Sequence, residues 1–366
     1  MVSTSYPLHS EDWRGRFIED MVKSLAQNDD IALSLWAPLG NIPDNVTYAA
    51  TDKECAWLHE LLSRGGIAHM IRSGGWRWLV DASRLLHFVR KVYLRNRDVD
   101  VVHVNWLQNA LPLLGTSLPA VITVLGSDFG LLRLPGMSHA LRMTLRRRRT
   151  VLAPNADWMV PELERRFGDI ATICPIPFGV DARWFEVPRN GQGDGPRKWV
   201  VVSRLTRQKI GALFSWGKEV FQGDDELHLF GPMQEQMLVP EWVHYHGSTH
   251  PAELRENWFP NAAGLITLSQ HDEGRPQVIL EAMAARLPVL VSDIPAHRSI
   301  ILHRQTGWLA ATQEGLRAGL NWLSDEANNV AVGAAAHDWV RVQVGTWKDC
   351  ARRFLAAYRL ALRSSE

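Results

Sequence analysis

The chain has 366 residues, of which 46% are hydrophobic and 22% charged, and its formal net charge is +1. That length suits two α/β domains of ordinary size rather than one core, and the composition excludes wholesale disorder. Near-neutral charge argues against a nucleic-acid binder held by global positive charge, and Cys55, Cys174 and Cys350, scattered and without a CxxC, point to a reduced, cytoplasmic protein.

In chain order, Met1–Tyr6 reads as a first strand, followed by a loop with Gly15, a helix over Phe17–Ala26 and a strand over Ile31–Leu35. Helical periodicity fills Glu54–Leu62 and Trp76–Leu94. Short apolar runs at Val101–Val104, Val121–Val124, Val151–Pro154 and Thr172–Ile176 read as buried strands, the second followed by the turn Gly126-Ser127-Asp128. Glu186–Lys198 is rich in Gly, Pro and polar residues and is the expected linker. Beyond it, strands are predicted over Trp199–Ser203, Glu226–Phe230, Val243–Tyr245, Gly264–Leu268 and Val289–Ser292, with helices near Gly211–Val220 and over Val278–Ala285. The last segment, Trp347–Leu362, is helical in pattern. Such alternation implies parallel βαβ units in two Rossmann-like domains, 1–185 and 199–340, with 186–198 between them and 341–366 packing back onto the first. A cleft between the domains is the expected ligand site. No apolar run of about 18 residues spans a bilayer, and the N-terminus shows no signal-peptide pattern.

Two constellations carry chemistry. In Glu273-Gly-Arg-Pro-Gln-Val-Ile-Leu-Glu281, Pro276 suits the first position of a helix, whose free N–H groups around Gly274–Val278 would bind an anion such as a phosphate. Glu281, about a turn further in, could accept ribose hydroxyls, and Glu273, in the preceding loop, could meet a sugar; the bland account is a surface helix with a capping acid. In Ser203-Arg204-Leu205-Thr206-Arg207-Gln208-Lys209, Arg204 and Lys209 follow a strand end and could serve a pyrophosphate, Arg as a planar fork and Lys as a point charge. Otherwise they form a solvated basic loop.

The order of SRLTRQK, the Gly231-Pro232 turn, the Tyr245-His246-Gly247 turn and EGRPQVILEAMAARLPVLVSD resembles the donor half of retaining GT-B glycosyltransferases of family 4, also called "glycosyl transferases group 1". SYPLHSEDWRGRF, DVVHVNW, TVLGSDF and PIPFGVDARWF extend the likeness more loosely over the first half. The resemblance implies an α/β GT-B fold, two Rossmann-like domains with parallel sheets facing across a cleft, and a metal-independent transferase using a UDP- or GDP-linked sugar with no cofactor. It makes Glu273, Arg204 and Lys209 catalytic. Glu281, Gly274, Arg275, Pro276, Gln277, Gly247, Gly231 and Gly15 become donor contacts, and Asp128 and Ser127 candidates for a sugar or acceptor hydroxyl. A glycan or lipid-linked acceptor in cell-envelope or exopolysaccharide synthesis follows from the same likeness. The family usually has a His before the Gly-Ser-Asp turn; this chain has Leu125, which motivates the alternative of a catalytically silent nucleotide-sugar scaffold.

Asp98-Val99-Asp100 fits a DxD pattern but precedes a strand and is read as a turn, and the histidines include no HExxH, so no metal is expected. His271 and Asp272 border Glu273 closely enough to touch the site. The basic stretch Arg133–Arg149, with no acid in it, could lie against an anionic inner-membrane surface, be a solvated helix face, or pair with acids elsewhere in the fold.

Overall fold

A computed structural model describes every residue except 10, 11, 13, 65–76, 192–194, 222, 272 and 364–366, together with all side chains of the described residues but those of Arg77, Trp78 and Ser127. The chain forms two compact units, Met1–Phe178 with Trp347–Glu366, and Gly179–Thr346.

In the first unit, β1 (Ser34–Leu35) and β2 (Thr47–Tyr48) pair in parallel. The parallel strands β3 (Val102–Asn105), β4 (Ala120–Val124), β5 (Thr150–Pro154) and β6 (Thr172–Ile173) form a four-stranded sheet in that order. Val2 bridges both Trp36 and Val104, so the expected first strand contracts to one residue joining the two sets. Every residue of β3, β4 and β5 is buried, as continuous apolar runs require when helices cover both faces. Ile122 and Leu152 face one core, Val121 and Val151 the other. Into the second core the C-terminal helix Trp347–Leu362 inserts Cys350, Phe354 and Tyr358. His103 ties that helix to the sheet, one ring nitrogen 2.7 Å from the Tyr358 hydroxyl and the other 2.7 Å from Thr123 Oγ1.

The second unit has β7 (Arg197–Val202), β8 (Asp225–Phe230), β9 (Val243–Gly247), β10 (Gly264–Thr267), β11 (Val289–Ser292) and β12 (Trp308–Ala310), all parallel and ordered β12-β11-β10-β7-β8-β9. Counted from β7 this is the doubly wound order 3-2-1-4-5-6. The chain reverses its winding between β7 and β10, and the loops that leave their C-terminal ends must lie side by side.

Three expectations are corrected. The chain passes between units after Phe178 and again after Thr346, rather than through 186–198. Val187 is buried in a core of the second unit, and Arg189 donates to the carbonyls of Phe259 and Ala262. One apolar residue and one arginine with backbone acceptors dock a segment whose composition looked unable to pack. The helix expected near Gly211–Val220 is shorter, Leu213–Gly217, and a separate turn of helix, Arg207–Ile210, precedes it; between them Gly211 has φ +55°, and a Cβ there would lie 2.0 Å from the Leu268 carbonyl oxygen. The basic stretch is not one solvated face, and one of its arginines pairs with an acid elsewhere in the fold, as the third reading allowed. Arg148 is buried, its guanidinium donating to the carbonyls of Leu113, Thr116 and Leu118, and Arg142 pairs with Asp169. Arg133, Arg146, Arg147 and Arg149 are exposed.

Candidate active site

The loops after β7 and β10 are stitched together at the switch point. Gln270 N–H donates to the Gln208 carbonyl at 2.8 Å, and the absent side chain of Gly211 lets its backbone meet Leu268. This contact brings Lys209 Nζ to 2.7 Å from Glu273 Oε1, with side-chain exposures of 17% and 16%. Ser269 Oγ donates to the same carboxylate at 3.3 Å. Burial alone would raise the Glu273 pKa, but the charge and hydrogen bond of Lys209, with His271 and His297 nearby, hold it below the ordinary carboxylate value. The two residues most strongly singled out in the sequence therefore meet as an ionised pair.

Behind the pair lies a buried network that sequence reasoning missed. Ser292 Oγ donates to the Ser269 carbonyl at 2.5 Å, and His297, fully buried, donates from Nδ1 to the Ser292 carbonyl at 2.8 Å. Burial lowers the His297 pKa, and this outweighs the Ser292 backbone hydrogen bond and the Glu273 charge, which raise it. Among the described residues none hydrogen-bonds the buried His297 Nε2. Only the apolar-strand-then-His spacing of Val289–His297 could have hinted at it, since the network joins the loops of two strands that are distant in sequence.

Other candidates resolve one by one. Pro276 is the N-cap, in an extended conformation, rather than the first helical residue, and Gln277 opens the helix Gln277–Ala284, one position before the expected range Val278–Ala285. The first-turn N–H groups still lack intrahelical acceptors, as at any helix start. Gly274 and Arg275 are buried beside this turn, and Glu281 is half-buried one turn in. The Gln277 side chain donates to the Gly179 carbonyl, so it fixes backbone within the unit. Arg204 Nη1 donates to Gln234 Oε1 at 3.2 Å. Gly231 has φ +137°, and a Cβ there would lie 1.9 Å from the Ser203 carbonyl oxygen, so only glycine lets the turn after β8 pack on the loop that carries Arg204. Its N–H donates to Gly247, which has φ +73° but open space around its Cβ position.

In the first unit, Gly15 has φ +72° and precedes the helix Arg16–Ala26; its Cβ would lie 2.7 Å from Ser5 and Tyr6 backbone atoms. The close approach that requires glycine is therefore made to the chain itself. Asp128 is buried, its two oxygens accepting from the N–H groups of Leu107 and Leu125, each at 2.7 Å. Burial pushes its carboxyl up to about 7, against the pull of these backbone hydrogen bonds. This is the turn-forming role. The Ser127 side chain and Asp272 lie outside the described residues. Leu125 packs into the unit's core. Asp98 and Asp100 are exposed ahead of β3, at the N-terminal end of that strand. Among the described residues no helix is long and apolar enough to cross a membrane.

Residues 228–338 match the family model "Glycosyl transferases group 1". The putative teichuronic acid biosynthesis glycosyltransferase TuaC of Bacillus subtilis (strain 168) is 25% identical over 331 aligned residues, which cover 80% of each chain. Sucrose-phosphate synthase from Thermosynechococcus elongatus superposes with a TM-score of 0.69 at 15% identity, covering 98% of this chain and 97% of the other. Anabaena HepE, solved with UDP and glucose, superposes at 0.63 and 13% identity, covering 94% and 95%. The chain has the GT-B fold, and its second unit contains the group 1 glycosyltransferase segment.

Proposed function

We propose that this GT-B protein, whose second unit contains the group 1 glycosyltransferase segment, moves a sugar from a UDP- or GDP-linked donor to a glycan or lipid-linked acceptor with retention of configuration. The observation that carries the proposal is the Lys209–Glu273 pair at the switch point of the second sheet, beside the helix start at Gln277. A diphosphate placed there would meet a fixed cation, a helix N-terminus and, with rotation away from Gln234, the Arg204 fork. In the transfer, the bond from the anomeric carbon to the phosphate oxygen breaks and a bond to the acceptor oxygen forms on the same face. The acceptor proton passes to the departing diphosphate. Negative charge grows on that diphosphate, so preorganised cations stabilise the transition state more than the ground state. Glu273, kept ionised by Lys209, faces the developing positive charge of the sugar ring. None of these steps requires a metal.

The likeness to TuaC supports an envelope polysaccharide as the product class. The exposed Arg133, Arg146, Arg147 and Arg149 support a peripheral contact with anionic lipid. A catalytically silent sugar-nucleotide scaffold is the alternative, favoured by Leu125 in the position of the usual His. Purified chain is incubated with UDP- and GDP-sugars, with and without envelope lipid extracts, and nucleotide release and product anomer are followed by NMR. Turnover with retention that is lost in Glu273→Ala supports transfer. Tight binding without turnover toward any acceptor supports the scaffold, and inverted product overturns the retaining mechanism.

A further inference from the structure

On the second sheet, β8 and its edge neighbour β9 carry a cluster of side chains that sugar transfer does not use. Glu226 and His228 are two residues apart on β8 and share a face, and the parallel register sets His228 beside His244 of β9. One ligand atom from each of Glu226, His228 and His244 lies within 4.8 Å of the other two. His228 Nε2 is 3.2 Å from a Glu226 carboxylate oxygen. That is close to the separation of about 3.3 Å that two ligands have in a tetrahedral site with bonds of about 2.0 Å.

The second ring nitrogen of His228 lies 3.0 Å from His246 Nε2, so the ring is held by a hydrogen bond on the side away from Glu226. Metal-binding imidazoles are commonly oriented this way, with the non-ligating nitrogen hydrogen-bonded. Trp258 packs at 4.8 Å from His228 and 4.9 Å from His246, which shields the inner side of the cluster from water. Lys198, the register neighbour of Glu226, holds its ammonium 6.0 Å over the Trp258 ring. His228 is buried, Glu226 half-buried and His244 exposed, so the cluster has a rigid floor and an open mouth.

We propose that Glu226, His228 and His244 form a three-ligand site for a divalent metal of the zinc class, with water in the fourth position. Two imidazole nitrogens and one carboxylate suit Zn²⁺ and its neighbours, whereas Mg²⁺ and Ca²⁺ call for six or more oxygens. Such a metal would clasp the edge strand β9, which ends in Gly247, to β8, which ends in Phe230 just before Gly231. It would lie on the far side of β7 from β10 and play no part in bond breaking.

The test uses the full chain, stripped with a chelator, then titrated with ZnCl₂ in competition with a chromophoric chelator. The expected results are one tightly bound equivalent and a melting temperature that rises with Zn²⁺ but not with Mg²⁺ or Ca²⁺. Glu226→Gln and His244→Ala should each weaken binding by about tenfold or more, and His246→Ala should weaken it by about tenfold without changing the stoichiometry. Absence of a tight equivalent in the wild-type chain would overturn the site, and so would undiminished affinity in both Glu226→Gln and His244→Ala. His244 is exposed and Glu226→Gln is nearly isosteric; circular dichroism confirms that each variant is folded before titration.

Discussion

Lys209→Met removes the ammonium 2.7 Å from Glu273 and leaves a carboxylate whose side chain is 16% exposed. Breaking a buried pair on one side costs about 3–5 kcal/mol, and losing an exposed one about 0.2–1 kcal/mol. A pair this sheltered lies closer to the first limit, so about 2–3 kcal/mol is expected at pH 7. The pH dependence is the sharper test. In the wild type the Glu273 pKa is depressed, so its stabilising contribution is present above the unfolded value near 4.5 and is lost as pH falls through the folded value. In Lys209→Met the main opposition to burial is gone and the pKa rises above 4.5, so stability is lost as pH rises through that higher value. The variant's deficit should therefore grow between pH 4 and pH 7. Urea unfolding of wild type, Lys209→Met, Glu273→Gln and the double variant at both pH values measures this. The two units can unfold separately, so the comparison is made on the transition that the variants shift. The double variant should recover about 1.5–3 kcal/mol relative to the sum of the singles. A deficit independent of pH, or additive single effects, would refute the buried pair.

Gly231→Ala must place a Cβ 1.9 Å from a backbone oxygen at φ +137°, whereas Gly247→Ala meets only an unfavourable φ of +73°. Thermal unfolding should show a loss above about 2–3 kcal/mol for the first and about 1–2 kcal/mol for the second. Burial, with the N-terminal ammonium nearby, pushes the His103 pKa down to about 3, so the folded chain loses stability as pH falls below the unfolded value near 6.5. His103→Gln should flatten this dependence by about 2–3 kcal/mol between pH 6.5 and 4.5, read from urea midpoints at each pH. Arg148→Met strands the carbonyls of Leu113, Thr116 and Leu118 and should cost about 3 kcal/mol or more. Arg146→Gln with Arg147→Gln should leave stability within about 0.5 kcal/mol yet reduce co-sedimentation with anionic vesicles, if the stretch touches lipid.

Legibility in the sequence followed burial and continuity. The runs behind β3, β4, β5 and β11 are wholly buried, so the strands could be read directly. Thr47–Tyr48 and Trp308–Ala310 are short and partly exposed, and they carry no run that pattern reading could find. The turn at Gly211 between the two short helices could not be foreseen because the Leu268 carbonyl that it meets lies across the switch point. The same distance hid Ser269, Ser292 and His297, whereas Lys209 and Glu273 were visible because each sits in a recognisable local motif. Asp128 looked equally suited to ligand or turn, and only the positions of the Leu107 and Leu125 N–H groups decided for the turn.

The central claim is that the loops after β7 and β10 hold the diphosphate of a sugar nucleotide. Calorimetric titration of the full chain with UDP and GDP, alongside uridine and guanosine, tests it most directly. One diphosphate should bind with a single site, and Arg204→Ala and Lys209→Ala should each weaken it by about tenfold or more while barely changing the affinity of the matching nucleoside. Equal diphosphate affinity in the wild type and in the double variant, or no binding of either diphosphate, would contradict it.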